Sequence, residues 1–175
     1  MDAARFSPLD FREQEYLFSV NCHVINEIMP KHSETRVLPY TADQMYSLVA
    51  KVDRYPQFLP WCAAARINAR KAAQDHEVIE ADLVISFKVF REKFGSRVEL
   101  WQEERRIETS YIDGPFRYMH SSWQFEDTDG GCAVSFSVDF EFKNAILQGI
   151  IGVVFNEAMQ RIVRAFEKRA AELYG

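Results

Sequence analysis

The sequence predicts an α+β domain in which a curved antiparallel sheet of about six to seven strands surrounds one long C-terminal helix. Segments between residues 81 and 142 alternate apolar with polar residues, as antiparallel strands with one dry face do. Turns rich in Asp and Gly separate these segments, and from residue 145 the spacing becomes helical. Because a strongly twisted sheet covered by a single helix leaves a void, the sequence also predicts an apolar cavity.

Two short helical segments are predicted after a first strand over residues 33–38. Thr41 is a good N-cap, and Gln44 completes a capping box. The first helix is therefore expected to begin there and to run to about Val52. Asp53 is predicted to cap the second segment, which is short and rich in aromatic residues.

The strands of the sheet are expected after Trp61, where the hydrophobic period changes to two. Each strand places apolar side chains on one parity and polar side chains on the other. Tight turns at residues 113–115 and 127–131 join neighbouring strands, which predicts a meander. The alternating segments cover residues 81–89, 94–101, 106–111, 119–126 and 134–142.

Asn144 is predicted to cap the long helix, which runs nearly to the end of the chain. Its first half, residues 145–155, is apolar almost all round, and this indicates burial on more than one side. Gly149 and Gly152 each cost about 1 kcal/mol relative to alanine in a helix interior. A close approach of the helix backbone to the sheet or to a ligand is one explanation of that cost.

Residues 1–28 differ from the remainder in holding five acids and two bases and in showing weak periodicity. We interpret them as an N-terminal extension, either disordered or present because Met29 is the natural start. An additional helix around residues 10–20 is the alternative. The folded domain is expected over residues 29–175.

Composition limits the classes of function. The net charge of −5 argues against a broad surface for nucleic acid, so no DNA partner is expected. Cys22, Cys62 and Cys132 are widely spaced and form no CxxC pair, which disfavours a disulfide framework or a zinc site and favours a reducing, cytoplasmic compartment. No apolar segment approaches the length of a membrane span, and the N-terminus does not resemble a secretory signal.

Catalytic patterns are missing from the sequence. None of the common nucleotide-binding, metalloprotease or hydrolase motifs occurs, and the four histidines are scattered. Carboxylates such as Asp139 and Glu141 lie on the polar parity of a strand, and we predict that they are surface groups. Cys62 is predicted to pack in the core as a small hydrophobic residue. We therefore predict no catalytic residues, no metal and a protein that binds without catalysing.

Two motifs carry a resemblance to a known family. Residues 53–62, Asp-Arg-Tyr-Pro-Gln-Phe-Leu-Pro-Trp-Cys, resemble the YPxFLPWC signature of the coenzyme Q-binding START-domain family. Residues 113–125, with Gly-Pro-Phe and then Trp-Gln-Phe, resemble its second signature. The resemblance covers roughly residues 30–174 and implies a helix-grip, START/Bet v 1-like fold.

The resemblance also implies a function. It implies binding of ubiquinone (coenzyme Q) or a related polyprenyl lipid as ligand, in support of respiratory electron transport and quinone biosynthesis. Transient contact with the inner membrane or with respiratory complexes would follow. The same family includes ribosome-association toxins that act on the large ribosomal subunit, and related folds cyclise polyketides, so a ribosome-binding inhibitor and a small-molecule cyclase stay open as alternatives. Residues 29–175 carry 19 bases and 21 acids, a balance that does not favour ribosomal RNA.

The predicted ligand site combines inward strand positions with the face of the long helix. Trp61 and Phe116 lie in the two signatures and are predicted to gate the mouth. For each single position, ordinary core packing explains the pattern equally well. The predicted ligand-binding residues are Trp61, Leu83, Ile85, Phe87, Val98, Leu100, Phe116, Met119, Trp123, Val138, Ile151, Phe155 and Met159.

Overall fold

The computed structural model describes residues 31–87 and 90–175. The predictions about residues 1–28 and about Met29 lie outside the described residues. In chain order the elements are β1 (Lys31–Leu38), α1 (Ala42–Ala50), a 3-10 helix (Val52–Gln57), β2 (Cys62–Ala72), β3 (Glu77–Phe87), β4 (Phe90–Trp101), β5 (Arg106–Asp113), β6 (Phe116–Thr128), β7 (Gly131–Phe142) and α2 (Ala145–Tyr174).

The seven strands form one sheet in the order β1-β7-β6-β5-β4-β3-β2. Every neighbouring pair is antiparallel, and β2 to β7 follow one another as a meander. β1 pairs with β7, so the first strand lies at one edge and β2 at the other. The predicted α+β fold, a curved antiparallel sheet with one long C-terminal helix and two short helices after the first strand, is confirmed.

The two short helices begin differently. Thr41 caps α1 as predicted, because its hydroxyl accepts from the Gln44 amide at 3.2 Å and the Gln44 side chain accepts from the Thr41 amide. The predicted cap at Asp53 is wrong, since Lys51 holds the N-cap position of the 3-10 helix without any side-chain hydrogen bond. Asp53 lies inside that helix, and its carboxylate instead pairs with Arg54 at 3.4 Å.

β2 is the strand that the alternation did not assign. Its pairing with β3 shifts register between Cys62 and Ala64 and again between Ile67 and Ala69. Each such irregularity places an additional residue in one strand and reverses the parity beyond it. β2 is also an edge strand with mostly exposed residues, so it lacks a continuous apolar face.

α2 lies across the sheet and packs most closely through its second half. Phe166 contacts the rings of Tyr55 and Phe58 edge-on at centroid distances of 5.5 and 5.2 Å. These three rings attach the 3-10 helix to α2 and explain the aromatic residues of the first signature. Nearer its start, α2 contributes Phe155 and Met159 to a second buried cluster with rings from β6 and β7.

The predicted burial of the first half of α2 on more than one side is wrong. Asn144 caps the helix as expected, but the side chains of Ile146 and Val153 are 71% and 87% exposed. A Cβ atom on Gly149 would meet nothing within 4 Å, so a close approach to the sheet does not explain that glycine. This part of α2 therefore presents an apolar face that the described residues leave uncovered.

By length and composition alone, α2 is long and apolar enough to cross a membrane, which corrects the expectation that no segment approaches that length. In the described fold, however, Phe155, Met159, Phe166 and Ala170 of this helix are buried. A core helix of a globular domain passes the same test of length and composition.

Candidate functional site

A cavity of about 210 Å³ lies between the sheet and α2, and we call it the central cavity. α1 and the 3-10 helix close one end of it, strands β3 to β7 form its wall, and the middle of α2 covers it. Its lining residues are Val49, Val52, Tyr55, Leu59, Leu83, Phe94, Ser96, Val98, Ile107, Thr109, Met119, Ser121, Trp123, Phe136, Val138, Met159, Ile162 and Phe166.

The lining is apolar except for four hydroxyl groups. The Tyr55 hydroxyl donates a hydrogen bond of 2.7 Å to the Val49 carbonyl, and burial raises the pKa of this phenol, so it is neutral at physiological pH. The Ser96 hydroxyl donates to the Ala81 carbonyl at 3.3 Å. Thr109 and Ser121 supply the other two hydroxyls.

Two smaller hollows lie beside the central cavity. The mouth hollow, about 80 Å³, lies beneath the start of α2 and shares Phe94 with the central cavity. The outer hollow, about 160 Å³, lies between Trp61 and α2 and shares Phe87 with the mouth hollow. The mouth hollow is thus a neighbour of both other volumes, and each neighbouring pair is separated by one shared phenylalanine.

Trp61 borders the outer hollow in an unusual backbone conformation. Its φ of +64° lies in the left-handed region, which is uncommon for a residue with a bulky side chain. The Trp61 carbonyl accepts a hydrogen bond of 2.8 Å from the Ser86 amide, and its ring stands edge-on to Phe87 at 5.2 Å. The Arg161 guanidinium lies 5.9 Å from the centre of the indole. These contacts hold the indole beside the outer hollow.

The predicted site residues fall into three groups. Six of them line the central cavity, namely Leu83, Val98, Met119, Trp123, Val138 and Met159. Ile85, Phe87, Phe116 and Ile151 line the mouth hollow, and Trp61 lines the outer hollow together with Phe87. Contact of any of these residues with a ligand stays a prediction.

Leu100 and Phe155 line none of these three volumes. Leu100 is buried further along β4, where it pairs with Ile107 and borders a different cleft. Phe155 packs against Phe140 at a centroid distance of 5.5 Å and against the ring of His32 at 6.4 Å. Phe116 is also more interior than a gate would be, because four aromatic rings surround it.

Several lining residues lie outside the predicted site. Three of them, Ser96, Thr109 and Ser121, lie on the same parity of their strands as the apolar lining residues. The alternation of each strand therefore predicts that these side chains face inward. The predicted site omits them because their side chains are polar. Val49, Val52, Tyr55 and Leu59 belong to the helical end of the cavity, which strand parity does not address.

The groups needed for acid–base or metal chemistry do not converge on the cavity. Tyr55 is the titratable side chain among its lining residues, and no lining residue carries a charge. Within residues 31–87 and 90–175, no group of three or more His, Cys, Asp or Glu side chains is placed to hold a metal ion. Burial raises the pKa of the Cys62 thiol, which keeps it in its unreactive form.

A larger cleft of about 620 Å³ lies at the opposite end of the sheet, where it is polar and open. Its charged side chains are largely engaged with one another. Arg105 contacts Asp43 at 2.8 Å and Asp127 at 2.5 Å, and His76 contacts Asp75 at 2.7 Å. The central cavity is therefore the better candidate for a specific apolar ligand.

Two known proteins with different names align over most of the chain. It is 38% identical over 148 residues to the ribosome association toxin RatA of Rickettsia prowazekii, covering 83% of this chain and 99% of that protein. It is 31% identical over 150 residues to the mitochondrial coenzyme Q-binding protein COQ10 homolog B of Xenopus laevis, covering 83% of this chain and 59% of that protein.

Solved structures agree with the fold. An 18 kDa protein of Caulobacter crescentus superposes with a TM-score of 0.71 at 34% identity, over 84% of this chain and 99% of that one. A START superfamily protein of Mycobacterium smegmatis superposes with a TM-score of 0.69 at 19% identity, over 82% and 98% of the two chains.

Residues 38–167 match the family described as polyketide cyclase / dehydrase and lipid transport. The resemblance found in the sequence motifs is thereby confirmed at the level of the START-like family. From its fold, its interior cavity and this match, the chain belongs to the polyketide cyclase / dehydrase and lipid transport family.

Proposed function

We propose that this protein binds ubiquinone, or a related quinone with a polyprenyl chain, and acts as its carrier or chaperone without catalysing a reaction. The observation that carries the proposal is the central cavity of about 210 Å³, with its apolar wall and its few neutral hydroxyls. Ligand sites for apolar molecules combine such walls with a small number of placed polar groups.

The size of the cavity favours a ring over a long chain. A cavity of about 150 Å³ in another protein holds benzene, so about 210 Å³ suits a substituted ring. A long polyprenyl chain does not fit in that volume. We propose that the ring lies inside and that the chain passes Phe94 into the mouth hollow, beneath Leu147, Ile150 and Ile151.

The absence of charge among the lining residues supports a binder over a cyclase. Proton transfer to a substrate needs a titratable group within reach whose pKa lies near the working pH. Tyr55 is engaged with the Val49 carbonyl, and its pKa is shifted upward, away from neutrality. The name of the Xenopus laevis relative, a coenzyme Q-binding protein, supports the quinone as guest.

The proposed guest also suggests where in the cell the protein acts. A quinone with a polyprenyl chain is held in a lipid bilayer, so a carrier in the cytoplasm would contact the inner membrane or respiratory complexes transiently. The exposed Ile146 and Val153 lie on the helix that covers the mouth hollow and suit such a contact. Binding to vesicles made of bacterial phospholipid, with and without quinone, tests this point.

The central test is titration of the purified protein with a ubiquinone of two isoprene units. Trp123 lines the cavity, so a bound quinone is expected to quench tryptophan fluorescence and to raise the melting temperature. Val138→Phe fills the cavity and should abolish both effects. Val37→Phe, at an exposed position on β1, is the matched control and should leave them intact. If saturating quinone gives no quenching and no thermal protection in the unchanged protein, the proposal is wrong.

Association with the large ribosomal subunit is the second candidate. The observation that favours it is the alignment with the Rickettsia prowazekii relative, which covers 99% of a protein named for ribosome association. Three of the four bases of α2 lie in ion pairs, because Arg161 pairs with Glu157, and Lys168 and Arg169 both pair with Glu172; Arg164 is exposed beside them. Co-sedimentation of the purified protein with purified large subunits in a sucrose gradient tests it, and a protein that stays at the top of the gradient excludes it.

A further inference from the structure

We propose that the hydroxyls of Ser96, Thr109 and Ser121 form a recognition point for one neutral oxygen on the ring of the guest, either a carbonyl or a hydroxyl. The inference rests on the proposed function, because it requires the ring to lie in the central cavity. It adds the chemical class of the recognised group and its orientation, with the oxygen directed toward the middle of the sheet.

The three side chains are neighbours because of the strand register. Thr109 on β5 lies directly opposite Ser121 on β6 and, on its other side, opposite Val98 on β4. Ser96 is two residues before Val98 and therefore points to the same face of the sheet. All three line the central cavity, so adjacent strands present three hydroxyls at the middle of an apolar wall.

All three hydroxyls have hydrogen-bonding capacity left over. Ser96 donates to the Ala81 carbonyl at 3.3 Å and keeps its lone pairs for a guest. The side-chain hydroxyls of Thr109 and Ser121 have no hydrogen-bond partner among the described residues. Both residues are half-buried, and their hydroxyls stay accessible from the cavity, so we expect the pair to bond to a molecule that occupies it.

The chemistry of the wall narrows the class of guest. A hydroxyl can donate to a carbonyl oxygen and can accept from a phenolic hydroxyl, so a quinone and its reduced quinol both satisfy the same groups. The lining residues include no Lys, Arg or His that would pair with a carboxylate or a phosphate. The site therefore favours a neutral ring bearing oxygen over a fatty acid or a phospholipid head group.

A simpler explanation is that serine and threonine are present because they are small and leave space. Isosteric changes separate the two explanations. Thr109→Val replaces the hydroxyl by a methyl group of similar size, and Ser121→Ala removes one oxygen without filling the cavity. If only space matters, these substitutions should leave the binding of a guest unchanged.

The experiment compares two guests in the full chain by isothermal titration calorimetry. The first guest is a ubiquinone with two isoprene units, and the second is benzene carrying the same two-isoprene chain without ring oxygens. For Thr109→Val/Ser121→Ala we expect quinone affinity to fall about tenfold, the equivalent of one to two neutral hydrogen bonds, and affinity for the hydrocarbon to stay within about twofold. Ser135→Ala, whose hydroxyl contacts Thr35 outside the cavity, is the control and should change neither.

Each other outcome has a distinct meaning. Equal quinone affinity in the variant and the unchanged protein overturns the recognition point while the proposed quinone binding survives. An equal loss of affinity for both guests also overturns it, because the change then acts through packing. If the unchanged protein binds neither guest, the proposed function itself fails and this inference falls with it. If urea denaturation of the double variant shows no cooperative unfolding transition, the single variants Thr109→Val and Ser121→Ala replace it.

Discussion

Gly131 lies so close to Leu38 that a Cβ atom on Gly131 would stand 2.0 Å from the Leu38 carbonyl oxygen. Its φ of +147° is also a conformation that residues with a side chain rarely adopt. Gly131→Ala should therefore lower the free energy of unfolding by more than about 2 kcal/mol, measured by urea denaturation. The neighbouring Gly130→Ala is the control, since a Cβ there meets nothing within 4 Å. Similar losses in both variants would contradict this explanation.

Gly149 of α2 is expected to respond in the opposite direction. Its missing Cβ faces open space, so alanine removes backbone entropy from the unfolded chain without a clash. Gly149→Ala should raise the free energy of unfolding by about 0.5 to 1 kcal/mol. Urea denaturation measures the change, and a loss of stability would show that the helix backbone is approached closely after all. A gain in stability with weakened quinone binding would place the guest's chain against this position.

The Tyr55 hydroxyl should contribute measurably to stability. Tyr55→Phe leaves the Val49 carbonyl without its partner in the interior, which costs about 1 kcal/mol. Tyr40→Phe is the matched control, because the Tyr40 hydroxyl has no hydrogen bond to any described residue. Thermal or urea unfolding of both variants measures the difference, and a stability of Tyr55→Phe equal to that of the unchanged protein would argue that water replaces the hydroxyl.

Asp127 should make the fold sensitive to acid. A hydrogen bond from the Ala42 amide and another from Arg105 hold the pKa of this carboxyl below its ordinary value. A group with a lowered folded-state pKa stabilises the protein above the unfolded pKa, near 4, and this contribution is lost as the pH falls through the folded pKa. We expect the urea midpoint to fall between pH 5 and pH 3.

Asp127→Asn tests the cause of that acid sensitivity. The variant should have a lower urea midpoint at pH 7 and a smaller decline toward pH 3, because the charged acceptor at the start of α1 is gone. Asp129→Asn changes an exposed carboxylate that has no ion-pair partner among the described residues, and it should leave the pH profile unchanged. An unaltered acid-side slope in Asp127→Asn would assign the sensitivity to other carboxylates.

Strand parity predicted much of the cavity wall because it depends only on local alternation. Leu83, Val98, Met119 and Val138 each continue the dry face of their strand, and each lines the central cavity. Parity selects a face of the sheet, however, and not the depth along a strand. Leu100 has the correct parity but lies beyond the cavity, and its position follows from the register between β4 and β5.

The remaining parts of the site depend on tertiary packing. Tyr55 reaches the cavity because its ring packs against Phe166 from the far end of the chain, a contact without any local signal. The exposed face of α2 was misjudged because an apolar sequence normally indicates burial. The alternation along β4 and β6 does place Ser96 and Ser121 on the inward face of the sheet. A serine at such a position indicates a ligand site only once the fold shows a cavity beside it.

The pairing of β1 with β7 has a consequence for synthesis of the protein. The hydroxyls of Thr35 and Ser135 lie 2.9 Å apart although 100 positions separate them along the chain, whereas β2 to β7 each pair with a neighbour in sequence. At about 5 to 20 residues added per second, a nascent β1 waits roughly 5 to 20 s for its partner. Until then the unpaired edge of β1 carries charges of both signs, from Lys31, Glu34 and Arg36. These charges discourage pairing with a foreign strand. Among the described strands, β1 is thus synthesised first and receives its partner last.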